Sequence, residues 1–297
     1  MVDPVVSLAG LIVGLIVGLT GMGGGALMTP LLVLVFHVQP LAAVSSDLVA
    51  SAVMKPVGSA VHLRRGTVHH GLVKWLVVGS VPSAFAGVLL LRALGDGPAV
   101  EHRMHVALGY ALLLAAAAMV AKAVHGMRNP NAVELASHDI AVRRVPTLLV
   151  GIVGGLVVGL TSVGSGTVVI VLLLALYPRL RASDLVGTDL AQAVPLVAAA
   201  SLGHLLFGDF RLGLTTSLLV GALPGVYIGA RLSARGNARG LRPLLVLVVT
   251  ASGLRLVGLG PAVLAFTLVG LATAAWFGRL VLKSRLRTGL AQSAESL

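Results

Sequence analysis

Of the 297 residues, 57% are hydrophobic and only 11% are charged, against about 25% charged in an average soluble domain; mean hydropathy is +1.00. That leaves too little polar surface to cover a water-soluble fold, and disorder, which needs low hydrophobicity, is excluded by the same numbers. The net charge of +12 does not point to nucleic acid, because the bases fall in short clusters between apolar runs (Arg64-Arg65, Arg143-Arg144, Arg231 to Arg242, Arg279 to Arg287). This is the loop pattern of a polytopic membrane protein.

With no cysteine, disulfides, thiolate metal sites and cysteine nucleophiles are absent. Asp3 stands where a signal peptide would carry basic residues, so the first apolar run is expected to stay in the mature protein.

The apolar runs are 5–36, 42–63, 70–91, 104–124, 145–178, 184–206, 212–232, 241–257 and 261–281. Most are near the ~20 residues of a spanning helix. Runs 5–36 and 145–178 are longer, and each is broken by glycines: Gly21-Met22-Gly23-Gly24-Gly25 and Ser162-Val163-Gly164-Ser165-Gly166.

The breaks expose an internal repeat. Gly14 to Thr20 matches Gly155 to Thr161 at a shift of 141 residues. At a shift of 142, Ser46-Asp47-Leu48 falls on Thr188-Asp189-Leu190, His62 on His204, Gly66 on Gly208, and Gly79, Pro82 and Gly87 on Gly221, Pro224 and Gly229. Residues 1–125 and 144–258 are therefore two homologous halves, joined by a linker (126–143) and followed by an extra C-terminal helix and basic tail (259–297).

Loop charges orient the chain. The Arg64/Arg65 loop, the linker, the Arg179/Arg181 turn, the 231–242 loop and the C-terminal tail are expected in the cytoplasm. The N-terminus, the 92–103 loop and the 207–211 loop are then outside. These assignments agree only if each glycine-broken run crosses an even number of times, as a re-entrant hairpin or as two short spans. The half-segment Ala26 to Phe36 reaches only ~17 Å, short of a ~30 Å core, which favours hairpins. The expected fold is all-α: two inverted-topology repeats, each with a re-entrant hairpin and three spanning helices, and one extra C-terminal helix. Such inverted repeats are typical of secondary transporters.

Backbone that leaves a helix inside a bilayer is either buried in protein or lines a wet cavity. A helix that restarts after a break offers free N–H groups and the positive end of its dipole to an anion. Gly23, Gly24 and Gly25, and Gly164, Ser165 and Gly166, are the candidate anion ligands; the alternative for these glycines is close helix packing. Lys55 lies 13 residues into run 42–63, near mid-depth, where a charge is costly and usually faces a cavity; the alternative is snorkelling to an interface. Gln192 is a neutral hydrogen-bonding candidate. Asp47 and Asp189 are expected in the first turns of their helices, and His62 and His204 at the far ends. Asp47 with His204 on one side, and Asp189 with His62 on the other, form candidate gating or proton-coupling pairs; the alternative is helix-end stabilisation. No metal-ligand spacing occurs.

These residues resemble the sulfite exporter TauE/SafE family of membrane permeases over nearly the whole chain. The resemblance rests on Gly18 to Gly25 with Pro30, Ser46-Asp47-Leu48, Lys55 to Gly58, His62 to Val68 and Gly79 to Pro82. In the second half it rests on Gly187 to Leu190, Ala193 to Pro195, Gly203-His204 and Leu223 to Gly225. Gln192 departs from the histidine expected there. The resemblance implies a multi-pass protein of the bacterial inner (plasma) membrane that exports or takes up sulfite, organosulfonates or other small anions. The expected function is alternating-access transport of such an anion, with proton coupling as one mode, no covalent chemistry and no cofactor. The expected partners are the small anion and the lipid bilayer; nucleic acid is not one, and a homo-oligomer is compatible with these features. The rivals are an anion channel and an intramembrane enzyme, and the second lacks a nucleophile, a ligand cluster or a GxSxG motif.

Overall fold

The computed structural model describes residues 3–20, 24–93, 95, 97–128, 140–164, 166–235 and 241–260. Ten helices follow one another among them: α1 (Pro4–Thr20), α2 (Gly25–Leu34), α3 (Pro40–Arg64), α4 (His70–Ala93), α5 (Pro98–Arg128), α6 (Arg144–Thr161), α7 (Val168–Leu176), α8 (Ala182–Phe207), α9 (Leu212–Arg235) and α10 (Leu241–Leu256). Most of the linker and the extra C-terminal helix expected after residue 260 lie outside the described residues. Helix α3, α4, α5, α6, α8 and α9 are each long and apolar enough to cross a membrane.

Local signals start several helices. Pro4, Pro40 and Pro98 each take a first helical position, where the missing N–H costs nothing. Asp3 caps α1: its Oδ1 accepts from the backbone N–H of Val5 at 2.8 Å and of Val6 at 3.2 Å, which satisfies donors with no partner inside the helix.

Helices α1–α5 precede the linker and α6–α10 follow it, and helices from the two groups pack against one another. Helix α1 packs along α9, and α6 along α4. Both contacts run through glycines that bring backbones together. Gly10 and Gly14 lie against Leu218 and Ala222, as Gly151 and Gly155 lie against Leu76 and Ser80. Gly221 and Gly229 face Ser7 and Leu15, as Gly79 and Gly87 face Leu148 and Leu156. Each contact has its repeat-shifted twin, and both helix pairs run parallel. Close approach of this kind replaces the hydrophobic driving force that lipid cannot supply between helices.

At the centre, α3 and α8 lie head to tail. Ser45 near the start of α3 meets His204 near the end of α8, and Gly58 near the end of α3 faces Leu190 near the start of α8. Helix α3 is more enclosed than any other of the six long apolar helices. The α6–α7 segment folds back on itself: Tyr177, just after α7, hydrogen-bonds Thr147 Oγ1 at 2.6 Å and accepts the Arg143 N–H at 2.9 Å, both at the start of α6. Large apolar side chains such as Leu8, Ile12, Leu149, Leu206 and Val220 remain exposed, as expected of surfaces in contact with lipid.

Candidate functional site

The two glycine breaks meet. Gly25, the first residue of α2, lies so close to the Ser162 carbonyl at the end of α6 that a methyl group there would overlap it. Ser162 is left-handed (φ 58°, ψ −10°), an uncommon conformation for a residue with a Cβ that costs about 1–3 kcal/mol. Its N–H caps α6 by bonding the Val158 carbonyl at 2.7 Å. Gly164 (φ +118°) and Gly166 (φ +99°) carry the chain on through conformations that favour glycine. The Gly164 carbonyl accepts the N–H groups of Thr167 and Val168 as α7 begins. Gly23 and Ser165 lie outside the described residues.

Asp47 sits at this meeting point, fully buried. Its Oδ2 accepts from Thr29 Oγ1 of α2 at 2.9 Å and from Ser162 Oγ at 2.6 Å, so one oxygen joins α2 of the first half to the break of the second. Its Oδ1 makes no well-formed hydrogen bond, although Ser51 Oγ also acts on the carboxylate, and it lies near the Gly24 backbone; a methyl placed on Gly24 would lie 3.6 Å from it, 3.6 Å from Ser51 Oγ and 3.5 Å from the Met54 methyl. Asp47 is thus not in the first turn of its helix, as its place early in run 42–63 suggested. Pro40 starts α3 earlier, and Asp47 lies two turns in. Asp189 is displaced in the same way, because α8 begins at Ala182 and Asp184 holds the first turn.

Lys55, 8% exposed, lies in the field of both Asp189 and Asp47. Asp189 is 1% exposed and is held by Gln192, whose Nε2 donates to Asp189 Oδ1 at 3.2 Å. Gln192 Oε1 in turn accepts from Ser80 Oγ of α4 at 3.3 Å. The crossing of α3 and α8 therefore carries two buried acids and one buried base. Among the described residues four buried hydroxyls also lack partners, Ser46 Oγ in α3, Thr167 Oγ1 at the start of α7, Ser201 Oγ in α8 and Thr215 Oγ1 in α9, at about 1–3 kcal/mol each.

The two histidines lie at opposite ends of the crossing. His204 is fully buried; Nδ1 shares a 2.8 Å hydrogen bond with Ser45 Oγ, and Nε2 lies 2.9 Å from the Gly159 carbonyl. These groups, and not Asp47, are its hydrogen-bond partners. The Asp47 carboxylate is engaged by Thr29 and Ser162 at the breaks, and no direct hydrogen bond joins it to His204. His62 Nδ1 bonds Thr67 Oγ1 at 2.9 Å, and Thr67 packs on Gly187, the repeat equivalent of Ser45. Thr29, Ser51, Ser162 and Thr167 were not singled out as ligands from sequence; Ser162 alone had a visible signal, its place inside a break. Among the described residues no group of three or more acids and histidines could hold a metal ion.

Residues 6–256 match the protein family described as sulfite exporter TauE/SafE. The chain is 40% identical over 255 residues to "Probable membrane transporter protein YjnA" of Bacillus subtilis, covering 84% of this chain and 98% of that one. It is 24% identical over 221 residues to "Probable membrane transporter protein YdhB" of the same organism, covering 74% and 86%. No solved structure matches.

Proposed function

This chain belongs to the sulfite exporter TauE/SafE family and is a multi-pass membrane transporter, and from that premise we propose that it moves a small anion, a sulfur oxyanion or organosulfonate, by alternating access of two inverted repeats. The observation that carries the proposal is the convergence of both glycine breaks on the buried Asp47–Lys55–Asp189 group where α3 crosses α8. A cation at mid-helix and two helix starts are the groups an anion needs. Lys55 supplies the charge, and Gly24, Gly25, Gly164 and Gly166 supply backbone at the breaks. Gln192 holds Asp189 in place beside Lys55.

Inverted topology is supported by the head-to-tail arrangement of the equivalent helices α3 and α8. Re-entrant hairpins are supported by the length of α2 and α7, 10 and 9 residues or about 15 Å each, and by the return of Tyr177 to the start of α6. The Ser45–His204 and His62–Thr67 contacts then act as gates on opposite sides of the membrane, with the N-terminus outside. Single cysteines at Thr67 and Asp209, repeat-adjacent loop positions, are expected to react with an impermeant maleimide from opposite sides; reaction from one side contradicts the inversion. The function itself is tested by a thermal-shift screen of the purified protein with sulfite, sulfate, thiosulfate, sulfoacetate, taurine and simple carboxylates. Stabilisation by sulfite or a sulfonate, and not by carboxylates, is the expected result.

A further inference from the structure

We propose that Asp47 carries the coupling proton of this transporter, and that its protonation opens the α2 helix start to the substrate anion, so that proton and anion cross together. This deepens the transport function proposed above and rests on it.

The geometry of one carboxylate carries the inference. Oδ2 is engaged by two hydroxyls, one from α2 and one from the end of α6, whereas Oδ1 is buried near the Gly24 backbone and makes no well-formed hydrogen bond, with Ser51 Oγ as a third hydroxyl acting on the carboxylate. Oδ1, Ser51 Oγ and the Met54 methyl are the nearest neighbours of a methyl placed on Gly24, and a proton on Oδ1 needs no further ligand.

Charge counting points the same way. The buried group holds Asp47, Lys55 and Asp189, two acids to one base. Helix α3 packs against α2, α5, α8 and α9. From these, Asp189 on α8 shares Lys55, and His204 on α8 bonds Ser45, two residues before Asp47; α2 brings no titratable residue. Lys55 is the charged group that acts on Asp47 itself. With both acids ionised and Lys55 the one buried cation among the described residues of this group, the group carries a net negative charge, a costly state in a bilayer interior.

Position supplies the coupling. Asp47 lies at the N-terminus of α2, the end that favours negative charge. An ionised Asp47 therefore holds the place that a substrate anion needs, and two negative charges at one helix start repel. A proton on Oδ1 removes that repulsion and releases Lys55 toward the substrate. The O–H bond forms with a proton from one aqueous side and breaks when Oδ1 faces the other, and no further reactant is required. Protonation also weakens Oδ2 as an acceptor for Thr29 and Ser162, which loosens the link between the two breaks at the moment the substrate binds.

The test uses the full chain in proteoliposomes, with labelled sulfite or sulfoacetate and a trapped pH dye. Wild type is expected to accumulate the anion toward the alkaline side, with anion-dependent proton entry and no response to a sodium gradient. Asp47→Asn, which imitates the neutral carboxyl, is expected to lose at least tenfold of the accumulation driven by a pH gradient, measured relative to its own exchange at equal pH. Ser162→Ala removes one hydrogen bond that favours the ionised form and is expected to move the pH midpoint of wild-type-like uptake upward. Accumulation by Asp47→Asn equal to wild type overturns the proposal, as does sodium-driven uptake or anion movement without protons in wild type. If Asp47→Asn does not fold, the dye measurement on wild type and the Ser162→Ala profile decide. Absence of any anion exchange by wild type defeats the transport function itself, a result distinct from uncoupled exchange.

Discussion

Lys55→Met is expected to lower the affinity for the substrate anion by about tenfold or more, read by thermal shift or by uptake in proteoliposomes. A hydrogen bond to a charged group is worth about 1.5–3 kcal/mol, and among the described residues Lys55 is the one cation in the buried α3–α8 group. The same substitution is expected to destabilise the protein, because Lys55 lies in the field of Asp47 and Asp189 and removing one partner of a buried charge pair leaves the other uncompensated, at about 3–5 kcal/mol. The two effects separate in the double variant Lys55→Met/Asp189→Asn, which restores the charge balance. It is expected to recover thermal stability and to remain unable to bind the anion. Lys55→Arg should keep part of the stability and part of the binding, since a planar fork does not replace a compact ammonium. Wild-type affinity in Lys55→Met would remove this residue from the site and leave the helix starts as the anion ligands.

At the breaks, two adjacent glycines should behave differently. Gly25→Ala is expected to abolish transport: its methyl would overlap the Ser162 carbonyl and force apart the two breaks. Gly24→Ala has space, with its nearest neighbours at 3.5–3.6 Å, and is expected to fold and to transport, with a modest loss because the methyl sits beside Asp47 Oδ1. Gly166→Leu meets a backbone obstacle, since Gly166 has φ +99° and L side chains rarely adopt that conformation. Uptake rates of the three variants at matched membrane levels check this ordering. Equal loss in Gly24→Ala and Gly25→Ala would show that bulk anywhere in the break, and not the contact with Ser162, is what matters.

Much of this architecture is legible in the chain because membrane helices announce themselves by composition, and because a duplication leaves its glycines, prolines and histidines in register. The 141–142-residue shift that aligns Gly155 with Gly14 and Gly221 with Gly79 reappears as paired backbone contacts. Lys55 is legible for the same reason that it is costly: a lone charge well inside an apolar run. The partners of Asp47 are not. Thr29 and Ser162 lie 18 and 115 residues away from it, and a threonine in an apolar helix looks like any helix-packing threonine. The position of Asp47 is misjudged from sequence because Ser45 and Ser46 read as the helix start, whereas α3 begins at Pro40. Nor does periodicity tell that α1 pairs with α9 of the other half and not with a neighbour in its own. That choice is made by which glycine rows fit together in three dimensions.

Counterflow in proteoliposomes tests the central claim most directly. Vesicles containing the full chain are loaded with a high concentration of unlabelled sulfite or sulfoacetate, diluted, and given a trace of the labelled anion outside, at equal pH on both sides. A carrier that exposes one site alternately to the two faces exchanges inner for outer anion, so the label is expected to rise transiently above its equilibrium level and then decay. Label that climbs only to equilibrium, with no overshoot, would contradict alternating access and identify the protein as an anion channel.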